Sequence, residues 1–184
     1  MDALVMCGGR GSRLDAAVEK PLYEVAGEAM VDRVLRALAE SAVGTVHAVV
    51  SPQAPATREH LAGRCSVIET PGEGYVADLD AAVDRVGTPA VTVAADLPLL
   101  AAEVVDDVLA AAEGSRTVVV PAALKRALGV AVDYDRPWVP AGVNVVGDDE
   151  GDDVVVRSWD ARLAVNVNRV TDADAARRLV TDGA

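Results

Sequence analysis

The segment "ALVMCGGRGSRL", residues 3–14, opens with a short apolar run that ends in two adjacent glycines. An apolar run of this length followed by Gly-Gly predicts a buried strand that feeds a loop. The glycines at positions 8, 9 and 11 allow several backbone N–H groups to converge on one anion, and Arg10 and Arg13 add positive charge beside them. The stretch therefore predicts the first strand of an α/β sheet and a loop that binds a polyphosphate.

A lysine follows this loop in a chain that almost lacks lysine. Of 17 basic residues only Lys20 and Lys125 are lysines. A lysine carries a compact charge that can bridge phosphates where the planar arginine group does not fit. The alternative interpretation is a glycine-rich turn with solvated arginines, and Lys20 favours phosphate binding. The loop is not a Walker P-loop, because no Gly-Lys-Ser/Thr follows it.

Strand-like and helix-like segments alternate through the first two thirds of the chain. After the first strand we predict strands at 46–51, 66–70, 90–96 and 117–122. We predict helices at 28–43, 57–63, 75–86, 102–114 and 172–180. This alternation predicts a mainly parallel sheet with helices on both faces, which is a Rossmann-like α/β fold.

The pattern changes after residue 122, where strand-like pieces follow one another between turns. These pieces are 128–134, 139–146, 154–159 and 163–168. We expect residues 123–160 to form a small strand-rich insertion or edge region within a single domain over residues 1–184. The Val-rich strands around 139–159 indicate an edge at which a homodimer could form.

The charge balance excludes some classes of partner. The net charge is −12, whereas a nucleic-acid-binding protein normally carries a basic face. No stretch approaches the ~20 apolar residues of a membrane span, and the first residues lack the features of a secretion signal. We expect a cytoplasmic protein with no nucleic-acid partner and no stable membrane insertion. Acidity with few lysines is typical of a high-salt cytoplasm, and a GC-rich genome is the alternative explanation.

Ligands of open α/β sheets bind beyond the carboxyl ends of the strands. The segments that follow predicted strands are 8–13, 70–75, 96–98 and 166–168, so we expect them to line one cleft. Asp96 ends an otherwise uncharged strand in this set. A carboxylate there suits Mg²⁺, which proteins hold with one or two carboxylates plus substrate phosphates. The alternative is that Asp96 caps the helix that follows.

A second glycine pattern keeps a different function open. Gly72, Gly74 and Ala77 fit a relaxed dinucleotide-binding pattern between a strand and a helix, and Asp96 would then reach an adenine ribose. That arrangement would make the protein an NAD(P)-binding oxidoreductase. Pro71 is awkward in the tight turn that the pattern requires, and residues 8–21 would have no role.

Taken together, several segments resemble one enzyme family. "LVMCGGRGSRL" (4–14) and "EKPL" (19–22) resemble the signature of nucleotidyltransferases that join an NTP to a phosphorylated acceptor. "ADLPLL" (95–100) and "NVNRVTDADAARRL" (166–179) look like segments of the molybdenum-cofactor guanylyltransferases. "SPQAPATREHL" (51–61), "TPGEGYVADL" (70–79) and "VPAGVNVV" (139–146) extend the likeness to the archaeal GTP:adenosylcobinamide-phosphate guanylyltransferases. A haloarchaeal member of that family would account for the acidity.

The resemblance implies a nucleotidyltransferase fold and a reaction of cobalamin biosynthesis. In that reaction GMP passes from GTP to adenosylcobinamide phosphate, which gives adenosylcobinamide-GDP and pyrophosphate. The resemblance implies a nucleotide-binding set made of Gly8, Gly9, Arg10, Gly11, Ser12, Arg13, Lys20, Thr70, Pro71, Gly72, Glu73, Gly74, Tyr75 and Asp96. Within that set, Arg13, Lys20 and Asp96 would act in catalysis.

The resemblance also implies an acceptor side and a metal pair. Gly142 and Asn144 would lie on the acceptor or ribose side, within the strand-rich region, and Asp96 and Asn168 would hold the Mg²⁺ that accompanies GTP. Glu73 stands where the family can have a lysine, which weakens the case for a contact by that side chain. Alternatives in the same class are molybdenum-cofactor and sugar-phosphate nucleotidyltransferases. Alternatives from other functional classes are the NAD(P)-binding oxidoreductase and a non-catalytic GTP-binding regulator.

Overall fold

A computed structural model of the chain describes residues 1–8, 14, 18–111, 114–148 and 153–181. The strands are β1 (Asp2–Met6), β2 (Glu24–Val25), β3 (Glu28–Ala29), β4 (Val46–Val50), β5 (Ser66–Glu69), β6 (Ala90–Ala94), β7 (Arg116–Pro121), β8 (Trp138–Val146) and β9 (Val154–Arg157). The helices are α1 (Met30–Ala39), α2 (Pro55–Leu61), α3 (Tyr75–Val86), α4 (Ala102–Ala110), α5 (Ala122–Ala127) and α6 (Val170–Thr181). Short 3₁₀ helices cover Lys20–Leu22 and Ala161–Leu163.

Within the described residues, the main sheet has seven strands in the order β5-β4-β1-β6-β8-β7-β9. β1 pairs in parallel with β4 and β6, β4 with β5, and β7 with β9. β8 runs antiparallel to both of its neighbours, β6 and β7. The predicted α/β fold with a mainly parallel sheet is therefore confirmed.

The side chains of β1 show how the sheet divides the core. Ala3 and Val5 pack into the cluster that contains the buried faces of α1 and α4. Leu4 and Met6 belong to the cluster that α3 covers. Because successive residues of a strand point to opposite faces, this division places helices on both sides of the sheet, as predicted.

The strand predicted at 128–134 is wrong. The chain continues from β7 into α5, which ends at Ala127, and Gly129 follows with a φ of +79°. The backbone N–H of Val130 then donates to the carbonyl of Lys125 at 2.9 Å, and that of Ala131 donates to Asp172 Oδ1 at 2.8 Å. These N–H groups are satisfied by a helix end and by a side chain, so the segment pairs with no strand.

The strand predicted at 163–168 is also wrong. Asp160 caps the 3₁₀ helix Ala161–Leu163, and the residues after it form a loop. Val165 and Val167 are fully buried against α6, whereas Asn166 and Asn168 face away from that cluster toward other polar groups. Apolar and polar residues do alternate here, but they alternate between the α6-packed cluster and the polar groups of the site, without strand pairing.

Smaller differences concern the element ends and the sheet edge. The helix predicted at 28–43 begins at Met30, because Glu28–Ala29 form a hairpin with β2. The helix predicted at 102–114 ends at Ala110, before the glycine expected to close it. β8 lies inside the sheet, so of the strands predicted around 139–159 only β9 offers an edge, and the dimer stays a prediction. Among the described residues, no helix is long and apolar enough to cross a membrane.

Candidate active site

Three side chains from separate parts of the chain meet beyond the carboxyl ends of β1 and β6. The Lys20 ammonium donates a hydrogen bond to the Asp96 carboxylate and another, 2.7 Å long, to Asn168 Oδ1. The side chains of Lys20 and Asp96 are 18% and 14% exposed, so water reaches only part of this ion pair. Gly8, Lys20, Tyr75 and Asp96 line one cavity of about 130 Å³.

Glu19 fixes the backbone on which Lys20 stands. Its two carboxylate oxygens accept hydrogen bonds from the first backbone N–H groups of α2, those of Ala56 at 2.9 Å and Thr57 at 2.7 Å. Burial alone would raise the pKa of Glu19, but the hydrogen bonds from Thr57 and Ala56 outweigh it and hold the pKa below the ordinary 4.5. The ionised carboxylate of Glu19 therefore anchors the backbone next to Lys20 to the start of α2.

We expect Glu19→Gln to lower the free energy of unfolding at pH 7 by about 1 kcal/mol, because a carboxylate cap is lost from α2. The depressed pKa of Glu19 means that its contribution is full above the ordinary value of 4.5 and is lost as the pH falls through the lower folded-state value. Urea unfolding at pH 7 and at pH 3 measures both effects. The difference between the two proteins should be smaller at pH 3 than at pH 7, and an unchanged difference would contradict this role.

Asp172, in the first turn of α6, fixes the backbone that carries Asn168. The residue is fully buried. Its Oδ2 accepts from the backbone N–H groups of Asn168 at 3.0 Å and Arg169 at 2.9 Å, and its Oδ1 accepts from Ala131 at 2.8 Å. One carboxylate thus joins the segment 166–169 to the loop after α5.

We expect Asp172→Asn to lower the free energy of unfolding by about 2 kcal/mol, because the new amide nitrogen would face backbone donors and leave them unpaired. The matched control is Asp174→Asn on the same helix. Asp174 is 55% exposed and pairs with Arg177 at the surface, so its loss should cost less than about 1 kcal/mol. Denaturant titration of the two variants checks this. Equal losses would show that the buried carboxylate has no special role.

The loop 70–75 borders the same cleft. Thr70 is buried, and its hydroxyl donates to the Val50 carbonyl at 3.4 Å, so that side chain holds the loop to β4. The Gly72 N–H donates to Asp78 Oδ1 at 2.8 Å. Gly72 needs to be glycine, because its φ is +74° and a Cβ would lie 2.4 Å from Gln53 Oε1. Pro71, Glu73, Gly74 and Tyr75 are exposed, and Gly72 is half-buried.

Gly142 and Asn144 lie on β8, beside β6. Gly142 has a φ of +84°, and a Cβ there would come within 3.0 Å of Ala94 Cβ and of Asn166 Nδ2. Asn144 Nδ2 donates to the Thr92 hydroxyl at 3.4 Å. Both residues line a cavity of about 600 Å³ that Tyr75 also borders. This larger cavity therefore adjoins the space next to Lys20.

Part of the predicted phosphate loop cannot be placed. Gly9, Arg10, Gly11, Ser12 and Arg13 lie outside the described residues, so their contacts stay predictions. Before them, Gly8 is exposed at the end of β1, and a Cβ on it would lie 3.4 Å from Asp78 Oδ2. Asp78 thus lies between Gly8 and the loop 70–75.

The oxygens of Asp96 and Asn168 form a donor set that suits Mg²⁺. Both accept from one cationic group, the ammonium of Lys20, so they already converge on a single positive charge. Among the described residues, no group of three or more His, Cys, Asp or Glu side chains could hold a metal ion. A carboxylate and an amide oxygen alone leave most positions around Mg²⁺ to phosphates and water, which is how this ion binds with nucleotides.

Three residues of this site were not predicted from the sequence, namely Lys125, Asp78 and Asp172, and Asn166 was predicted to line the cleft but without a role. Lys125 Nζ donates to Asn166 Oδ1 at 2.9 Å, and Asn166 Nδ2 donates to Asp96 Oδ1 at 3.4 Å. Lysine is so scarce in this chain that Lys125 was as conspicuous as Lys20, but no neighbouring motif predicted that it lies near the site. Asp78 and Asp172 look in the sequence like ordinary acids of a helix first turn.

Comparisons with known proteins show the family to which the chain belongs. The chain is 29% identical over 196 aligned positions to the adenosylcobinamide-phosphate guanylyltransferase of Methanocaldococcus jannaschii, across 98% of this chain and 97% of that one. It is 31% identical over 147 positions to the bifunctional protein GlmU of Maricaulis maris, across 73% of this chain and 32% of GlmU. A nucleotidyl transferase from Methanothermobacter superposes with a TM-score of 0.75 at 20% identity, across 100% of this chain and 98% of that one, which shows a shared fold. The model of the MobA-like NTP transferase domain matches residues 3–181, and the chain belongs to that family of nucleotidyltransferases.

Proposed function

We propose that the protein transfers GMP from GTP to adenosylcobinamide phosphate and releases pyrophosphate. The observation that carries the proposal is the meeting of Lys20, Asp96 and Asn168 beside Gly8, in a chain related over nearly its whole length to the Methanocaldococcus enzyme. The family supports nucleotidyl transfer in general. The choice of GTP and of the corrinoid acceptor follows that one relative, an adenosylcobinamide-phosphate guanylyltransferase.

In the proposed reaction, an oxygen of the acceptor phosphate attacks the α-phosphorus of GTP. The bond from that phosphorus to the oxygen bridging the α- and β-phosphates breaks, and pyrophosphate leaves with the electron pair. The protein contributes mainly position and charge, as is usual in phosphoryl transfer. Lys20 faces the space into which the phosphates would extend, and Arg13 would join it there.

Mg²⁺ is the cofactor that we propose for this site, and Asp96 and Asn168 are the residues that would hold it. When bound, it would neutralise charge on the triphosphate. The loop 70–75 would lie against the guanosine, and the larger cavity beside Gly142 and Asn144 would take the acceptor or the ribose. That cavity, at about 600 Å³, is within the usual range of small-molecule sites.

The deciding experiment follows pyrophosphate release from GTP in molar KCl with Mg²⁺, with and without adenosylcobinamide phosphate. Mass spectrometry of the product should find adenosylcobinamide-GDP. Parallel reactions replace GTP with ATP or CTP, and replace the corrinoid with molybdopterin or a sugar 1-phosphate. Turnover with one of these other acceptors and none with the corrinoid would refute the proposed acceptor. Binding of NAD(P), with no turnover of GTP, ATP or CTP with any acceptor, would refute nucleotidyl transfer as the function.

A further inference from the structure

The second lysine of the chain lies behind the candidate active site. Lys125, on α5, is only 6% exposed. Its ammonium donates to the Ala164 carbonyl at 3.0 Å and to Asn166 Oδ1 at 2.9 Å. Both acceptors belong to the loop that leads to Asn168, so Lys125 holds the part of the chain that completes the site.

Lys125 determines which way the Asn166 amide points. An ammonium can only donate hydrogen bonds, so the amide oxygen of Asn166 must face it. The amide nitrogen then faces the other way, where it donates to the Ala141 carbonyl at 3.2 Å and to Asp96 Oδ1 at 3.4 Å. As a result, each oxygen of Asp96 has its own partner, because Oδ2 accepts from Lys20.

Burying the charge of Lys125 at this position has an unfavourable desolvation free energy. Burial lowers the pKa of Lys125, and the negative charges of Asp96, Asp172 and Asp133 act in the opposite direction. Its two direct acceptors are neutral oxygens, which compensate a buried charge only in part. An apolar side chain on α5 would avoid this cost, so the lysine must supply something that packing cannot.

We propose that Lys125 is a positioning residue that acts through Asn166. Its hydrogen bond to the Asn166 oxygen keeps the Asn166 nitrogen on Asp96 Oδ1, and this leaves Asp96 Oδ2 directed at Lys20 and at a divalent cation. The proposal rests on the proposed nucleotidyl transfer at the same site. Lys125 borders a cavity of about 200 Å³ together with Asp96 and Asn168, and the role proposed for it is exerted through Asn166 and not by direct contact with substrate or cation. Removing Lys125 should therefore weaken the binding of a divalent cation at Asp96 more than it weakens the binding of GTP.

The test measures Mn²⁺ binding to the GTP complex by electron paramagnetic resonance. We expect Lys125→Met to weaken Mn²⁺ binding roughly 10- to 100-fold, the usual effect of losing a group that orients a ligand. GTP affinity without metal and the KM for GTP should stay unchanged, while kcat falls. Lys125→Gln, which can still donate to Asn166, should lose less. Arg126→Met removes an exposed positive charge from the same helix and is the matched control.

A double-mutant cycle tests the route through Asn166. If Lys125 acts through that amide, adding Lys125→Met to Asn166→Ala should weaken Mn²⁺ binding no further than Asn166→Ala alone. Additive losses would overturn the proposal, as would a folded Lys125→Met protein that binds Mn²⁺ like the wild type. If Lys125→Met does not fold, Lys125→Gln with Asn166→Ala completes the same cycle.

The binding assay contains no acceptor, so it separates two kinds of failure. A wild-type protein that binds Mn²⁺ with GTP but does not modify adenosylcobinamide phosphate would refute the proposed acceptor and leave the role of Lys125 measurable. A wild-type protein that shows no GTP-dependent Mn²⁺ binding would overturn both proposals.

Discussion

Replacing Lys20 with alanine should lower kcat by roughly 10²- to 10³-fold, the effect of removing one fixed charge that faces a developing negative charge. The ammonium lies between Asp96 and Asn168, and its removal would leave the Asp96 carboxylate facing the phosphates of the substrate. Pyrophosphate release under saturating GTP measures the loss. The KM for GTP should change much less, because the loop 70–75, which would lie against the guanosine, remains.

Two further variants make the Lys20 result specific. Lys20→Arg keeps the charge but replaces a compact group with a planar one, so it should restore little of the activity. Arg36→Met removes an exposed cation on α1 that pairs with Glu28, and it should leave kcat unchanged. Full activity in Lys20→Ala, or equal losses in Lys20→Ala and Arg36→Met, would contradict the role of Lys20.

Asp96→Asn should be nearly as damaging, with kcat again lower by roughly 10²- to 10³-fold. Both oxygens of Asp96 accept hydrogen bonds, from Lys20 and from Asn166. An asparagine has only one acceptor, so its amide nitrogen would face a donor on one side or the other. The variant should also lose GTP-dependent Mn²⁺ binding, since an amide oxygen is a weaker ligand than a carboxylate.

The control for Asp96 is Asp84→Asn, which removes one exposed negative charge from α3. It should keep both wild-type turnover and wild-type Mn²⁺ binding. Thermal unfolding of each variant separates a lost site from a lost fold. If a folded Asp96→Asn protein turned over GTP normally, the placement of the metal at this carboxylate would be wrong.

The fold was predictable where local patterns and the sheet order agree. The helix predicted at 75–86 matches α3 in both bounds, because Gly74 and Gly87, each with a positive φ, delimit it. The strand that opens the chain was predictable from its apolar run and the glycines after it. The two wrong strands share a different cause. Residues that alternate between a helix-packed side and a polar side produce the same pattern as a half-buried strand.

The candidate site was predictable where one rule of topology applied to it. Lys20 follows the phosphate loop and Asp96 lies at a predicted strand end, and the parallel strands β1 and β6 bring these positions to one edge of the sheet. Asn168 was expected there from a strand that does not form, and it reaches the site on a loop. The supporting residues were not predictable in this way. Lys125 and Asn166 are 41 residues apart and meet only because α5 and the loop after the second 3₁₀ helix pack together. No local pattern encodes that contact.

The strand order also constrains how the chain can be made. A nascent chain that has emerged as far as residue 121 already contains β5, β4, β1 and β6, which pair without any later strand. β7 has emerged by then too, but its partners, β8 and β9, are still in the ribosome. Because a chain folds from its N-terminus during synthesis, the free edge of β6 stays open to the wrong partner until β8 arrives. Slower translation while β8 is still inside the ribosome should therefore increase aggregation during expression.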